Sequence, residues 1–436
     1  MRKNKLLLPV LILLTGLITI TGCRKDDVSL PQPEITDNGM LNGKDSIVVG
    51  ESITIHPKIN NRTSTAYEWS VNGVAKSTDS VFVFQTDSAG DYKINYIAVN
   101  PTGRTSFEYA IHVWGKYEQG VILINEGWFG HDNGNVNFFR YGNDTVEQMI
   151  YKGANPGKEL GVTSQHGAVF NNKLYIVSKQ GPFVATDAKS LKETGRIENM
   201  PADGRAFAGV DATTGIISTS DGIYKVNLTN FTIGAKVAGV DGETGSLLVN
   251  GDYIFAQSQS EGAIILKKSD FSVVKKLADI GQGFAKTADG SIWATTENQL
   301  VKINPATLDT TKIDLGFSMG SSWFAWNDGT LTAGNDAVYI AKTQPWGAGG
   351  DEIYKYVPGN TASLSAPWAK IPAGKEFYGS GARFNSARNE LVVTAIQSGY
   401  GQNYKYNSLY FYDPSGTLKK TVSYEYFYFP ALILFN

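Results

Sequence analysis

His131 and His166 are the only imidazoles beyond residue 116, and neither sits at a spacing that recruits a second metal ligand. No Glu-x-x-His or His-x-His run includes them, so zinc hydrolysis has no ligand set to work with. No Gly-x-Ser-x-Gly elbow occurs, and an activated serine therefore has no signature. Asp132, Glu159, Asp203, Asp351 and Glu376 fall in loop segments where a carboxylate pair would be needed to cut a glycosidic bond. Acids in such turns are usually solvated, and no catalytic residue is assigned. What the loops do hold is aromatics and amides. Trp128, Phe129, His131, His166, Lys179, Gln180 and Arg205 are the candidate ligand-binding residues of the first half of this region. Gln257, Phe284, Trp323, Trp346, Tyr378, Arg383 and Tyr400 are those of the second. Rings stack on flat ligand faces and amides match donors to acceptors. The set suits a large, flat, neutral ligand edged with carbonyl and amide groups, and sugars nearly as well. Trp293 and Trp326 fall on expected strands and are assigned to the core.

The elements that must carry these loops are strands. Gly, Tyr, Phe, Thr, Ser and Asn are abundant, a balance that disfavours helix and suits short strands joined by tight turns. Short apolar runs recur from residue 122 onward: Ile122–Asn125, Leu174–Val177, Ile216–Thr219, Tyr253–Ala256, Ser291–Ala294, Val338–Ala341 and Leu391–Thr394. Their start-to-start spacings are 52, 42, 37, 38, 47 and 53 residues, and most follow an Asn/Asp-Gly type of turn. A further strand ending in a polar turn follows, as in Tyr224–Asn227 and Leu300–Asn304. Four-stranded units of this length predict a β-propeller of seven blades over residues 116–436. The first unit lacks the innermost strand that the others have. The terminal apolar segment Phe429–Phe435 is the unused strand, and it is expected to pair beside Val121–Asn125 and close the ring. Loops would then gather over one face around a central channel, the default ligand site.

Residues 38–115 alternate in strand fashion, with six strand candidates and Trp69 at the place of a core tryptophan. The stretch Asp87–Tyr92 followed by Ala98-Val99-Asn100 resembles the tyrosine-corner region of Ig-like or PKD-like β-sandwiches. The fold class expected is therefore all-β, a small sandwich followed by a seven-bladed propeller.

Residues 1–22 have the layout of a signal peptide, three positive charges in Met1–Lys5 and an apolar run to Ile20. That run is short for a spanning helix. Ile20-Thr21-Gly22-Cys23 looks like a bacterial lipobox, which makes Cys23, the one cysteine, the lipid-carrying first residue of the mature chain. Arg24–Asp27 resembles the export signal of Bacteroidetes surface lipoproteins, and residues 23–37 read as a tether. The expected place is the outer membrane, lipid-anchored and facing outward. With 39 basic and 41 acidic residues interspersed, no tract marks nucleic acid as a partner.

Leu123–Gly130 with Asn133-Gly134-Asn135-Val136 is similar to the opening motif of the YncE-like propeller lipoproteins of Bacteroidetes, the DUF5074 family. The resemblance covers about Val121 to the C-terminus. In its BtuG-type members it implies capture of cobalamin (vitamin B12) and delivery to a TonB-dependent outer-membrane transporter, with cobalamin as bound ligand and no cofactor. A glycan-binding lipoprotein of a polysaccharide uptake system, or a propeller-type glycan lyase or hydrolase, is the alternative.

Overall fold

The computed structural model describes residues 30–320, 331–344 and 349–436. Cys23 and the leader, together with Trp323, Trp326 and Trp346, lie outside the described residues. The chain divides into two compact units, one holding the residues up to Ile47 with 51–85 and 91–112, the other 48–50, 86–90 and 113–436.

The first unit is built on a five-stranded sheet, in the order Lys44–Val48, Gly103–Trp114, Gly90–Asn100, Ala66–Val71, Val74–Ser77. Two-stranded sheets pair Ser52–Ile55 with Phe82–Gln85 and Glu34–Asp37 with Lys58–Asn60. A strand therefore occupies the end of the segment read as a tether; the prolines Pro31 and Pro33 precede it and leave its own amides free to pair. Trp69 is fully buried and its ring lies 5.3, 4.4 and 6.0 Å from those of Phe82, Tyr96 and Tyr109. Its indole N–H donates to the Asp79 carbonyl at 2.8 Å, so burial of the ring leaves no orphaned donor.

Among its described residues the second unit contains seven four-stranded antiparallel sheets. Six run in sequence order from inside to outside and span 162–197, 204–241, 244–277, 282–314, 331–370 and 375–425. The first blade differs: its order is Val146–Glu147, Asn135–Arg140, Gly120–Asn125, Pro430–Phe435. The C-terminal strand thus fills the innermost position, with Val121 opposite Phe435, Ile122 opposite Leu434 and Ile124 opposite Leu432. Innermost strands lie each against the next, from Pro430–Phe435 through Val162–Phe170 and onward to Lys375–Asn385, which returns to Pro430–Phe435. The ring is closed as the sequence predicts.

Why these residues make blades follows from burial on both sheet faces. Ile122 and Ile124 pack with Leu174, Ile176 and Val184 of the second blade, whereas Val121 and Leu123 pack with Val392, Leu409 and Phe411 of the seventh. A strand sandwiched in this way needs an unbroken apolar run, not alternation. Outside the second strands the chain turns on Asx motifs. Asp187, Asn227, Asp270 and Asn304 each accept backbone N–H bonds with the side-chain oxygen. Among the described residues, α-helix is confined to Ile150–Ala154.

One irregularity repeats around the ring. Innermost strands carry an extra residue near their entry: between Ser164 and His166, Gly204 and Phe207, Thr244 and Leu247, and Gln282 and Ala285. The seventh blade carries more, with Phe377 opposite Ala395 but Ala382 opposite Val393. Such bulges re-aim side chains and end pairing locally.

Candidate functional site

The connection from the second to the third strand of the first blade, residues 126–134, carries the densest group of predicted residues. The amides of His131 and Asp132 both donate to the Trp128 carbonyl at 2.8 Å, a tight turn that folds the imidazole back over the indole. The two rings stack at 3.9 Å. Phe427 stacks on Trp128 at 4.4 Å. Two rings that close cannot share one face, so the indole is sandwiched. Both faces of Trp128 are thus covered, and Phe129, the next residue of the loop, is 66% exposed.

Beside this column opens a cleft of about 710 Å³. Its walls come from three stretches: Asn125 to Asn135, Met149 to Val162, and Tyr426 to Tyr428. The short helix fixes the middle stretch by burying Ile150 and Tyr151 in the core between the first two blades. The charges in the cleft neutralise one another. Lys152 pairs with Glu159 at 3.0 Å, and Asn133 donates to the other oxygen of Glu159 at 2.8 Å. Lys158 pairs with Glu193 at 2.6 Å, and the Tyr426 hydroxyl donates to Asp132 at 3.2 Å. The bonds from Lys152 and then Asn133 hold the Glu159 carboxyl below its usual range. Amides (Asn125, Asn133, Asn135), rings (His131, Tyr151, Tyr426, Phe427, Tyr428) and the aliphatic chains of Met149, Leu160 and Val162 supply the other side chains of the lining.

A second group meets where the ring closes. The Tyr378 hydroxyl donates to Glu126 at 2.9 Å, carried there by the long bulge of the seventh blade. Burial pushes the Glu126 carboxyl up to about 7, against the Tyr378 hydrogen bond and the charge of Lys179, which both pull it down. Burial also drives the Tyr378 hydroxyl well above its ordinary value. The amides of Glu126 and Gly127 donate to the carbonyls of Phe429 and Tyr428, both at 3.0 Å, so this group and the cleft share one backbone junction.

Several predicted residues hold blades to one another. The Phe207 amide donates to His166 Nδ1 at 3.3 Å, and Gln257 donates to the Gly281 carbonyl of the fifth blade. Arg205 is buried against Glu243, with a further bond to the Gly204 carbonyl at 2.8 Å. Phe284 faces the core between the fourth and fifth blades, 5.9 Å from Phe255, because strand alternation turns it away from the channel. Gln180 reaches Asp203 at 3.5 Å, and Arg383 donates to the Ala382 carbonyl at 3.0 Å. Tyr400 stands 79% exposed near Tyr404. Trp293 is buried, as assigned.

The cleft thus unites His131 with residues the sequence reading passed over, chiefly Asn125, Asn133, Lys152 and Tyr426–Tyr428. A signal for the last group is the run of aromatics at Tyr424, Tyr426, Phe427, Tyr428 and Phe429, just before the terminal strand. A second cavity, about 620 Å³, lies between the fifth and sixth blades and includes Gln282, Glu297 and Thr343 in its lining. No group of three or more His, Cys, Asp or Glu stands close enough to hold a metal ion among the described residues.

A family model described as "Domain of unknown function (DUF5074)" matches residues 119–436, and one described as a PKD-like domain matches 40–100. Among solved structures, a quinonprotein alcohol dehydrogenase-like protein of Bacteroides thetaiotaomicron superposes with a TM-score of 0.61 at 19% identity, over 93% of this chain and 99% of its own. At that identity the likeness concerns the fold alone. BamB from Moraxella catarrhalis superposes at a TM-score of 0.41 and 12% identity, over 70% of this chain and 82% of its own. No curated protein matches the chain.

Proposed function

The chain belongs to the DUF5074 family, and we propose that it is a non-catalytic capture protein whose first-blade cleft takes up a mid-sized neutral nutrient. The observation that carries this reading is the pairing of every charged side chain in the cleft's inner lining with a neighbour, beside an aromatic column that ends in open rings. A pocket with its charges already satisfied gains nothing from an ion and penalises its desolvation. A ligand with flat faces and donor or acceptor edges meets no such penalty. The volume falls within the ~300–1,000 Å³ typical of small-molecule sites. Cobalamin is the leading candidate, on the resemblance to BtuG-type proteins: its amide edge matches the asparagines, and the corrin would extend over the rim toward Phe129. Lipid attachment at Cys23, display on the outer membrane and hand-over to a TonB-dependent transporter belong to the same proposal, which rests there on the leader and the motif. Residues 321–330 and 345–348 carry the candidates Trp323 and Trp346, which remain expectations of the sequence.

The enzyme alternatives fit less well. A glycosidase needs a carboxyl kept protonated near neutrality as its acid. In the cleft's lining Glu159 is shifted in the opposite direction, and Glu126, whose carboxyl burial raises to about 7, stands outside that lining, bonded to Tyr378. Binding of a neutral glycan stays as the second reading, favoured by the open rings of His131 and Phe129.

The test is direct. Purified protein mixed with cyanocobalamin and desalted should stay red at about one ligand per chain. Replacing His131 and Phe129 together by alanine should weaken retention at least about tenfold with an unchanged thermal midpoint, since both lie outside the packed core. Colourless protein, with neutral oligosaccharides retarding it on a native gel, would transfer the reading to glycan capture.

A further inference from the structure

Among the described residues, the most exposed large ring of the second unit sits on a backbone that resists it. Tyr400 is 79% exposed, on the connection from the second to the third strand of the seventh blade. Its φ is 60° and its ψ 173°. That region is populated almost only by glycine, because a Cβ there crowds the adjoining peptide. A residue with a side chain persists in it only where the surroundings over-determine the backbone. Here they do. The Ser398 amide donates to the Gly374 carbonyl at 3.0 Å and the Tyr426 amide to the Lys405 carbonyl at 2.9 Å, which ties both ends of the loop. Within the loop, Asn403 Nδ2 donates to the Ser398 carbonyl at 3.0 Å, and its Oδ1 accepts from Gln397 at 3.2 Å. A glycine would serve this turn without strain. The tyrosine, with most of its ring in water, contributes little packing to offset the cost. Tyr404 lies 5.7 Å away and inclined by 49°, itself held edge-on to Phe429 at 5.8 Å. Strain of this kind clusters at sites that meet a ligand.

The neighbours of the ring specify what it meets. Gly399 and Gly401 flank it, Gln402 is exposed on the same turn, and Asn403 is half-buried. A tyrosine that anchors a protein partner is ringed by contacts that exclude water. Glycines and amides do not make such a collar. A sugar asks for the opposite, a flat ring for its C–H face and amides at the edge for its hydroxyls. We propose that the Tyr400 loop is a glycan-binding platform, on which a neutral pyranose of an oligo- or polysaccharide stacks against the Tyr400 ring while Gln402 bonds its hydroxyls. The platform is separate from the first-blade cleft, whose lining includes no residue of this loop.

The experiment runs the purified full-length protein on native gels cast with starch, β-mannan or mixed-linkage β-glucan. The polysaccharide that retards it is followed by calorimetric titration with the matching hexasaccharide. At least one gel should retard the wild type. Tyr400→Phe keeps the ring face and should bind within about twofold of the wild type, whereas Tyr400→Gly should weaken binding at least about tenfold. The thermal midpoint of Tyr400→Gly should hold or rise, because glycine relieves the backbone and no packed side chain is lost. Retardation in none of the gels, or equal binding by Tyr400→Gly, would overturn the platform; the second result would place the sugar in the cleft instead. A midpoint lowered by several degrees would overturn it too, since the ring would then be held for stability. If Tyr400→Gly does not fold, crystals of the wild type with the hexasaccharide decide. A pyranose within about 4 Å of the Tyr400 ring face supports the platform, and a sugar seated elsewhere overturns it. Whether the wild type retains cyanocobalamin has no bearing on these outcomes.

Discussion

Glu126 is pulled in two directions: burial raises its carboxyl to about 7, while the Tyr378 hydroxyl and the Lys179 charge work to lower it. In the unfolded chain the same group titrates near 4.5. Between those values the folded protein holds a proton that the unfolded chain has lost, so stability falls as pH rises through the interval. The contribution is whole below about 4.5 and gone once the pH has passed about 7. Glu126→Gln carries no charge at any pH and still accepts from Tyr378. Its thermal midpoint should match the wild type near pH 5 and exceed it at pH 8, by an amount on the order of 1 kcal/mol. Two midpoint curves running parallel across that range would show that Glu126 does not titrate with folding.

Bulges at the entry of the innermost strands re-aim the side chains there, and the longest of them depends on a glycine. Gly379 has φ +56°, and a Cβ there would lie 2.6 Å from the Ala431 carbonyl oxygen and 2.7 Å from its Cα. Both obstacles are backbone of the closing strand and cannot rotate away. Gly379→Ala should cost at least about 2 kcal/mol, from the left-handed conformation and the displaced strand together, read as a lower midpoint in chemical denaturation. An unchanged midpoint would mean that the bulge can be rebuilt at no cost. Features of this kind were not legible in the sequence, because a register slip is decided by what the neighbouring blade presents. Second strands such as Leu174–Val177 were legible for the contrary reason. Their burial on both faces writes an uninterrupted apolar run into the chain. The site divides in the same way. Trp128 and His131 are conspicuous in a glycine-rich loop, whereas Tyr426–Tyr428 merge with the apolar segment after them. What separates them is the left-handed backbone of Phe429, φ 50°, which no local pattern announces.

At the scale of the molecule, the pairing of Gly120–Asn125 with Pro430–Phe435 joins the two ends of the ring, and the chain end is fastened further. Asn436 donates to the carbonyls of Tyr117 at 2.8 Å and Ala188 at 2.7 Å. Removing residues 429–436 exposes Ile122, Ile124 and Leu123 along an unpaired edge and deletes the shared apolar faces of Leu432 and Ile433. The loss is expected to reach the whole second unit, not one blade. Calorimetry of the shortened protein should show its main transition displaced downward by well over 10 °C or absent, since a few kcal/mol is most of a domain's stability; a transition at the wild-type temperature would contradict this.

The two walls of the cleft that meet through Tyr426 and Asp132 are 294 positions apart along the chain. During synthesis the earlier wall waits for nearly the entire remainder of the polypeptide before its counterpart exists. The cleft is consequently the last feature the molecule completes, and a chain abandoned by its ribosome or clipped near its tail lacks one of its walls.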